Sequence, residues 1–381
     1  MKIAFLCAYN FYRQLFGVRN FFMTIAKTLG EKHDVEYIAY RETYAGPLWY
    51  KLTPSADADS IQTTQISLEG KAIAHFTRKK RQAFLDRQHK EQKQRYYYQY
   101  IGRDVSAEHY DVCVITIPWI VKEGIKIDAK RIVGIVHDFI ANDWYLTNRN
   151  PILLGHKHAV GYDFYNRICN SIVANSKTVM EEYNTVFPKC EYKTNYLEPF
   201  PTYAFKNTVV DNSIPRERAV ILAAPFDVRK GLKHIPALLN PLSGNIDVLY
   251  IYGGARCSEA EFNQFFKDIG IKRIEYFPSI SYPDVISLYK KSQFLLFPSL
   301  EEGLGIPIIE SQICGCRVVT TDAPPMNTLV LPGSYILSGD AGKDTAAMKS
   351  MLTEPFNYAG LASEAELFFS FADLENKILG T

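Results

Sequence analysis

Apolar residues in this chain occur in short runs that are separated by longer, amphipathic segments. The runs are rich in β-branched and aromatic side chains, and most of them lack alternation of apolar and polar positions. Continuous apolar runs are typical of strands that are covered on both faces, as in parallel sheets. The predicted strands are Ile3–Tyr9, Val35–Tyr40, Val112–Ile117, Ile132–His137, Ile172–Asn175, Val220–Ala224, Val248–Tyr252, Ile274–Phe277, Phe294–Pro298 and Val318–Thr321.

The alternation of these strands with helix-length segments predicts an α/β fold with doubly wound parallel sheets. A chain of 381 residues is long enough for two domains of roughly 100–200 residues each. Prolines interrupt the stretch between residues 176 and 218, and the first 200 residues are net basic whereas the remainder is net acidic. We therefore predict an N-terminal domain over 1–200, a C-terminal domain over 201–360 and a C-terminal helix within 361–381.

Two segments depart from the simple alternation of strand and helix. Residues 41–110 are too long for an ordinary crossover and are interpreted as an insertion in the N-terminal domain. Within them, Phe76–Arg103 is rich in lysine, arginine and tyrosine and is predicted to be a helix. This helix either packs its tyrosines on the domain or faces an anionic membrane or acceptor. Nucleic acid is not an expected partner, because no binding motif accompanies the basic residues. The tail Leu361–Leu379 has a helical pattern.

The composition is that of an ordinary globular protein. Hydrophobic residues make up 47%, charged residues 22%, and the net charge is +2, which excludes a disordered or collagen-like chain. Seven scattered cysteines without C-x-x-C spacing indicate a reducing compartment. No apolar run reaches the roughly 18–20 residues that span a bilayer, and the start of the chain does not resemble a signal peptide. We expect a cytoplasmic protein that can associate with the inner face of the membrane.

The segment Phe294–Glu310 carries the strongest chemical signal. A buried strand ends at Pro298, a polar loop with two glycines follows, and Pro307 suits the first turn of a helix. The backbone amides at the start of such a helix form a site for an anion. Glu302, in the loop, and Glu310, in the helix, can both face the crevice at the carboxyl ends of the strands. A carboxylate accepts two hydrogen bonds and so suits a vicinal diol of a ribose or a sugar ring.

These residues resemble a known family. Glu302 and Glu310 are similar to the E-x7-E motif of retaining GT-B glycosyltransferases, most closely glycosyltransferase family 4, and the resemblance extends over most of the C-terminal half. The N-terminal half matches more weakly. The further segments that resemble the family are Ser292–Glu310, Gly315–Thr320, Leu222–Gly231, Tyr250–Gly254 and Phe277–Ile280, together with Gly17, His137-Asp138 and Asn175-Ser176.

The resemblance implies both a fold and an activity. The fold is GT-B, with two Rossmann-like doubly wound domains that face a central cleft. The N-terminal domain would lie on the acceptor side, the C-terminal domain would bind the nucleotide sugar, and the C-terminal helix would pack back on the N-terminal domain. The activity is transfer of a hexosyl group, with retention, from a nucleotide-diphosphate sugar to a hydroxyl of a saccharide acceptor, and it needs no metal cofactor. The expected setting is bacterial O-antigen or capsule synthesis on a lipid-linked acceptor. GDP-mannose is the favoured donor, while UDP-linked glucose, galactose and N-acetylhexosamine stay open.

The resemblance also implies roles for individual residues of the C-terminal half. Glu310 would hold the nucleotide ribose, and Glu302 would contact the transferred sugar. Lys230 would neutralise the diphosphate as a point charge. The backbone of Gly303, Leu304 and Gly305 would bind the sugar or the β-phosphate at the helix N-terminus.

Three further positions take implied roles in binding. Ile280 lies in the loop that usually receives the base. Gly17, where a side chain would collide, would let its loop close over the diphosphate. His137 ends a predicted buried strand and would contact sugar or acceptor. From the residues alone, His137 can equally be a structural histidine.

One departure from the family pattern concerns the cationic clamp. Pro225 stands where the family usually has an arginine, and proline supplies neither a charge nor an N–H. Arg229 or Arg256 could supply the second charge, and Arg229, next to Lys230, is the first choice. Weaker donor binding, a different diphosphate pose and lost activity remain open.

The sequence is also compatible with two other classes of function, and it contains one motif with metal-binding spacing. The alternatives are a GT-B sugar-nucleotide epimerase or hydrolase, and a binding protein with weakened catalysis. Asp57 and Asp59 have the spacing of a metal-binding D-x-D motif. They lie in a turn-rich stretch without a preceding strand, so no metal site is predicted.

Overall fold

The computed structural model describes residues 1–11, 16–44, 46–55, 63–69, 86–87, 90–91, 93–102, 109–120, 127–138, 156–254 and 257–381. The chain divides into two compact units. The first unit comprises Met1–Ala58, Leu85–Pro199 and Phe371–Thr381. The second unit comprises Asp59–Phe84 and Phe200–Ser370.

Strands and helices alternate along most of the described chain. The strands are β1 Lys2–Ala8, β2 Asp34–Thr43, β3 Gly46–Pro54, β4 Thr64–Glu69, β5 Tyr96–Gly102, β6 Tyr110–Ile115, β7 Ala129–Val136, β8 Ser171–Ala174, β9 Thr194–Tyr196, β10 Ala219–Ala223, β11 Val248–Tyr252, β12 Arg273–Ser279, β13 Phe294–Phe297, β14 Arg317–Thr320 and β15 Tyr335–Ile336. The helices are α1 Phe16–Gly30, α2 His156–Ile168, α3 Lys177–Val186, α4 Ile235–Leu239, α5 Glu259–Asp268, α6 Tyr282–Lys291, α7 Ile306–Ile313, α8 Ala341–Thr353, α9 Tyr358–Phe368 and α10 Leu374–Leu379.

Each unit is built on one mainly parallel sheet. The sheet of the first unit has the order β5-β3-β2-β1-β6-β7-β8-β9. It is parallel from β2 to β9, while β3 and β5 are antiparallel additions at one edge. The sheet of the second unit has the order β15-β14-β13-β10-β11-β12-β4. All its pairs are parallel except the last, between β12 and β4.

Burial along the central strands agrees with the continuous apolar runs in the sequence. Every residue of β10, β13 and β14 is buried. Since successive side chains of a strand point to opposite faces, complete burial requires cover on both faces of the sheet. The predicted α/β fold with doubly wound, mainly parallel sheets is therefore confirmed.

The predicted helix over Phe76–Arg103 is wrong at its end. Tyr96–Gly102 forms strand β5, which pairs antiparallel with β3. Burial alternates there as in a half-covered strand, because Tyr96 is buried whereas Tyr97 is exposed. Residues 86, 87, 90, 91, 93 and 94 are helical, and residues 70–85 lie outside the described part of the chain.

The sequence predicts that the segment 41–110 lies wholly within the N-terminal domain, and this prediction is wrong. Its strand β4 lies at the edge of the second unit's sheet, where Ile66 is opposite Tyr276. The two paired strands are far apart in the sequence, so no local pattern indicates that they meet. This pairing is the reason why part of the segment belongs to the second unit.

The tail forms two helices rather than the single predicted helix, and the boundary lies later than residue 361. Helix α9 belongs to the second unit, and the chain enters the first unit at Phe371. Helix α10 is held there by its Glu375 carboxylate. The carboxylate accepts a hydrogen bond from Lys32 Nζ at 2.6 Å and lies 3.2 Å from His33 Nε2.

Two expectations about the cellular setting can be compared with the structure. All seven cysteines are buried free thiols. Within the described residues, no helix combines the length and the apolar character that crossing a bilayer requires.

Candidate functional site

The loop after β10 holds two cationic residues in a short 3-10 turn that ends at Lys230. Asp227 begins the turn, and its Oδ1 accepts a hydrogen bond from the backbone N–H of Arg229 at 3.0 Å. Gly231 follows with a φ of 75°. A Cβ there would lie 2.1 Å from the carbonyl oxygen of Pro298, so only glycine fits. The turn is thereby packed against the end of β13.

The loop after β13 leads into helix α7 through two glycines. Gly305 is the N-cap of the helix with a φ of 88°, and Pro307 occupies the first turn. Leu304, between the two glycines, is buried. The loop is tied to the neighbouring strand, because Thr321 Oγ1 donates a hydrogen bond to the carbonyl of Ser299 at 2.6 Å. The predicted strand, loop and helix are all present.

Glu302 brings the two loops together. Its carboxylate accepts a short hydrogen bond from Lys230 Nζ and forms an ion pair with Arg229 Nη1 at 3.4 Å. Ser299 Oγ donates to the same carboxylate at 2.6 Å. We call these four residues the Glu302 cluster. The sequence predicted separate roles for Lys230 and Glu302, and the structure places the two side chains in contact. Ser299, which lies within the segment Ser292–Glu310 that resembles the family, was not singled out.

The side chains of Glu302, Lys230 and Arg229 are largely buried, and this burial shifts the pKa values of Glu302 and Lys230. Burial lowers the pKa of Lys230, although the nearby Glu302 opposes the shift. Burial would raise the pKa of Glu302, but the attraction of Lys230 and Arg229 outweighs it and the pKa falls below its ordinary value. Asp227 also attracts Lys230. Two cations are thus balanced by two carboxylates, and a bound anion would compete with Glu302 for Lys230.

Glu310 lies in α7 and is 6% exposed. Its Oε1 accepts a hydrogen bond from Thr202 Oγ1 at 2.5 Å. Burial raises the pKa of the Glu310 carboxyl to about 8, against the opposing effect of this hydrogen bond. The hydroxyls of Tyr252 and Tyr289 lie 2.7 Å apart, and a negative charge on Glu310 raises the pKa of both tyrosines. Thr202, in the stretch between residues 176 and 218 that prolines interrupt, was missed because it lies 108 positions before Glu310 and no local pattern brings the two together.

Ile280 lies half-buried between β12 and α6. The next residue, Ser281, caps α6, its Oγ accepting from the backbone N–H of Asp284. Thr63, just before β4, contacts both: its Oγ1 accepts from the N–H of Ser281 at 3.0 Å and donates to the Asp284 carboxylate. The loop predicted to receive the base is thus fixed by a strand from a distant part of the sequence.

Two predicted residues lie in the first unit. A Cβ at Gly17 would meet no described atom of the protein within 4 Å, so packing against the described residues does not account for this glycine. His137 is buried, its Nε2–H donates to the carbonyl of Thr116 at 2.8 Å, and its ring meets Phe21 edge-on. Burial lowers the pKa of His137 to about 4. The ring is therefore neutral at pH 7, and its contact with sugar or acceptor stays a prediction.

The last residues to locate are Pro225, the alternative cation Arg256, and the pair Asp57 and Asp59. Pro225 contributes its carbonyl, which accepts from the N–H of Asp227 at 2.8 Å. Arg256, the second candidate for the missing cation, lies outside the described residues, as do Asp57 and Asp59. The expectation that no strand precedes Asp57 is wrong, because β3 ends at Pro54.

Comparisons with known proteins agree with the C-terminal motifs. Residues 222–354, about a third of the chain, match the family described as Glycosyl transferases group 1. This range contains both loops of the Glu302 cluster. The matched residues lie in the second unit, and the predicted resemblance to glycosyltransferases is confirmed.

Curated relatives match over short segments. The chain is 29% identical over 96 residues to the D-inositol 3-phosphate glycosyltransferase of Rhodococcus jostii, which covers 24% of this chain and 21% of that protein. It is 28% identical over 81 residues to the O-antigen chain mannosyltransferase RfbU of Salmonella typhimurium, covering 21% and 23%. The match therefore spans about a fifth of the length of these relatives.

Solved structures match over nearly the whole chain. One is WaaG, a glycosyltransferase involved in lipopolysaccharide biosynthesis, with 14% identity, a TM-score of 0.57 and coverage of 99% of this chain and 97% of that one. Another is Anabaena HepE in complex with UDP-glucose, with 15% identity, a TM-score of 0.55 and coverage of 100% and 98%. At these identities the likeness concerns the fold, and it confirms the predicted GT-B class.

Proposed function

We propose that this protein is a retaining glycosyltransferase that moves a hexosyl group from a nucleotide-diphosphate sugar to a hydroxyl of a saccharide. The observation that carries the proposal is the Glu302 cluster, which joins two loops at the carboxyl ends of β10 and β13. Ligands of doubly wound folds bind at this edge of the sheet. The group 1 domain found over the same residues supports the proposal.

The proposed chemistry asks for stabilisation of a departing diphosphate. The bond between the anomeric carbon and the diphosphate oxygen breaks, and the acceptor oxygen bonds to the same face of that carbon. The acceptor proton passes to the departing diphosphate. Lys230, Arg229 and the amides of the loop before α7 would stabilise the developing negative charge. Closure that excludes water would protect the donor from hydrolysis.

The roles within the donor site follow from the position of each side chain. The diphosphate would take Lys230 from Glu302, which would free the Glu302 carboxylate to accept hydrogen bonds from the sugar. Glu310 and Thr202 would lie at the ribose, whose hydroxyls supply donors to the buried carboxyl. Ile280 would lie against the base. We propose GDP-mannose as the first donor to test, because one curated relative is named a mannosyltransferase.

The proposed acceptor is a lipid-linked saccharide in the synthesis of a bacterial surface polysaccharide such as O-antigen or capsule. The name of the same relative supports an O-antigen setting. Lys90 and Lys93 are exposed in the basic segment 76–103 and would contact anionic lipid at the inner face of the membrane. The protein would then act as a cytoplasmic, peripheral membrane enzyme.

The test is transfer from radiolabelled GDP-mannose, UDP-glucose, UDP-galactose or UDP-N-acetylglucosamine to a bacterial glycolipid extract, followed by analysis of the anomeric configuration. We expect one donor to label a lipid-soluble product with retention. Lys230→Ala should abolish labelling, whereas the exposed neighbour Lys233→Ala should preserve it. Conversion of a donor in the absence of the extract would instead indicate an epimerase or hydrolase, and no conversion at all would indicate a binding protein.

A further inference from the structure

Four tyrosines form a connected group at the surface of the first unit. The ring of Tyr9 lies 4.7 Å from that of Tyr98 and 5.0 Å from that of Tyr50, and the rings of Tyr50 and Tyr100 are 5.8 Å apart. The guanidinium of Arg41 lies 5.1 Å from the centre of the Tyr9 ring. We call these five residues the tyrosine cluster. Two of its members, Tyr98 and Tyr100, belong to the segment that the sequence identified as basic and aromatic.

The topology of the sheet places the tyrosine cluster at the edge where doubly wound folds bind ligands. Strand β3 is antiparallel to both β2 and β5, so β5 runs in the same direction as β2 and β1. Tyr9 follows β1, Arg41 lies near the carboxyl end of β2, and Tyr100 lies near the carboxyl end of β5. All three are therefore at the carboxyl edge of the parallel strands. His137, which follows β7, is at the same edge.

On the face of β5 that carries the tyrosine cluster, exposure increases toward this edge. Tyr96 is buried against Phe11, Tyr98 is half-buried, and Tyr100 is 54% exposed. The Tyr98 hydroxyl donates to the carbonyl of Tyr9 at 3.1 Å and fixes the group. The cluster is thus an ordered set of aromatic rings that reach from the core into solvent.

The chemistry of the tyrosine cluster matches a saccharide. Tyr100 is exposed, and the hydroxyls of Tyr9, Tyr50 and Tyr100 form no hydrogen bond within the part of the chain that the structure describes. A tyrosine combines an apolar ring with a polar tip, and a sugar ring combines an apolar C–H face with hydroxyls at its rim. The guanidinium of Arg41 adds hydrogen-bond donors beside the rings.

We propose that the tyrosine cluster binds a saccharide and forms the acceptor site of this protein. The inference rests on the proposed function in naming this saccharide the acceptor. Strands β3 and β5, additions to the parallel part of the sheet, supply Tyr50, Tyr98 and Tyr100, so this part of the site comes from the insertion. An acceptor there is recognised by residues that play no part in holding the nucleotide.

The experiment is saturation-transfer-difference NMR on the full-length protein without nucleotide. The probes are mannose, glucose, galactose, N-acetylglucosamine and mannotriose. We expect at least one probe to show saturation transfer. Tyr100→Ala should weaken its binding by about 5- to 10-fold, since an aromatic contact is worth about 1 kcal/mol. Tyr50→Phe keeps the ring, removes only the hydroxyl and should weaken binding by a smaller factor.

Tyr97→Ala is the matched control. Tyr97 lies on the same strand, is 68% exposed and points to the opposite face of the sheet, so its removal should leave binding unchanged. Circular dichroism verifies that each variant is folded. No saturation transfer from any probe, or equal binding by wild type and Tyr100→Ala, would overturn the inference.

Two further measurements separate this inference from the proposed function. Nucleotide binding by the same Tyr100→Ala protein should match wild type, because the cluster lies in the other unit. If the wild type binds a nucleotide but no saccharide probe, the inference alone is overturned. If the wild type binds a saccharide probe but no nucleotide, the proposed function alone is overturned. Flotation with phosphatidylglycerol vesicles tests a lipid surface instead. If Tyr100→Ala reduces flotation while saccharide binding is unaffected, the cluster is a membrane contact and the inference is wrong.

Discussion

Replacing Glu310 by glutamine should make the protein more stable at neutral pH. In the folded protein, burial raises the pKa of this carboxyl from 4.5 to about 8. The folded carboxyl therefore keeps its proton across a range in which the unfolded one loses it. Its contribution to stability is fully present below the unfolded pKa and is lost as the pH rises through the folded pKa. Glutamine keeps the shape and accepts the Thr202 hydrogen bond without titrating.

The magnitude follows from the shift. Where only the folded carboxyl is protonated, wild-type stability should fall by about 1.4 kcal/mol per pH unit relative to Glu310→Gln. Between pH 5 and pH 7 the free energy of unfolding of the variant should therefore gain about 3 kcal/mol on that of the wild type.

The assay is urea unfolding at pH 5, 6 and 7 without nucleotide, followed by circular dichroism. Tryptophan fluorescence provides an internal reference for the first unit, because Trp49, Trp119 and Trp144 all lie outside the second unit. Glu366→Gln, at an exposed position of the second unit, is the matched control and should follow the wild type. Parallel pH dependences of wild type and Glu310→Gln would refute the reasoning.

Three other substitutions or titrations test the account. Lys230→Met leaves the buried Glu302 carboxylate with one cation fewer and should lower the free energy of unfolding by about 3 kcal/mol in urea; unchanged stability would contradict the ion pair. Gly231→Ala should lower the melting temperature strongly, because its Cβ would meet a backbone carbonyl, whereas Gly244→Ala, in open space, should not; equal melting temperatures would contradict the packing. The ring protons of His137 should titrate near pH 4 by NMR, since burial favours the neutral ring. Because the pKa is lower in the folded protein, the neutral ring of His137 contributes to stability above the ordinary pKa of 6.5, and this contribution is lost as the pH falls toward 4. A midpoint near 6.5 would show that the ring is accessible to water.

The central strands could be predicted because their burial leaves a local signature. Strands covered on both faces must be apolar at every position, and β10, β13 and β14 show this in the sequence and in the structure. The loop before α7 could be predicted as well. Gly305 adopts a positive φ at the N-cap, which favours glycine, and Pro307 lies in the first turn, where its missing N–H costs no hydrogen bond.

The segment 41–110 could not be read in this way. The sequence predicts a helix over β5 because the tyrosines of this strand follow directly on a segment rich in lysine and arginine, whereas the alternation of buried Tyr96 and exposed Tyr97 is that of a strand. Strand β4 depends on a partner about 200 residues away, β12. Thr202 was missed for the same reason, since its contact with Glu310 exists only in three dimensions.

The central claim is that the second unit binds a nucleotide diphosphate at the Glu302 cluster. The most direct test is the thermal stability of the full-length protein with UDP, GDP, ADP, CMP or dTDP. At 100 times its dissociation constant, one nucleotide should stabilise the protein by about 2.7 kcal/mol. We predict that Lys230→Ala loses this effect and that Lys233→Ala keeps it. A protein that no nucleotide stabilises, or a Lys230→Ala variant that is stabilised as much as the wild type, would contradict the claim.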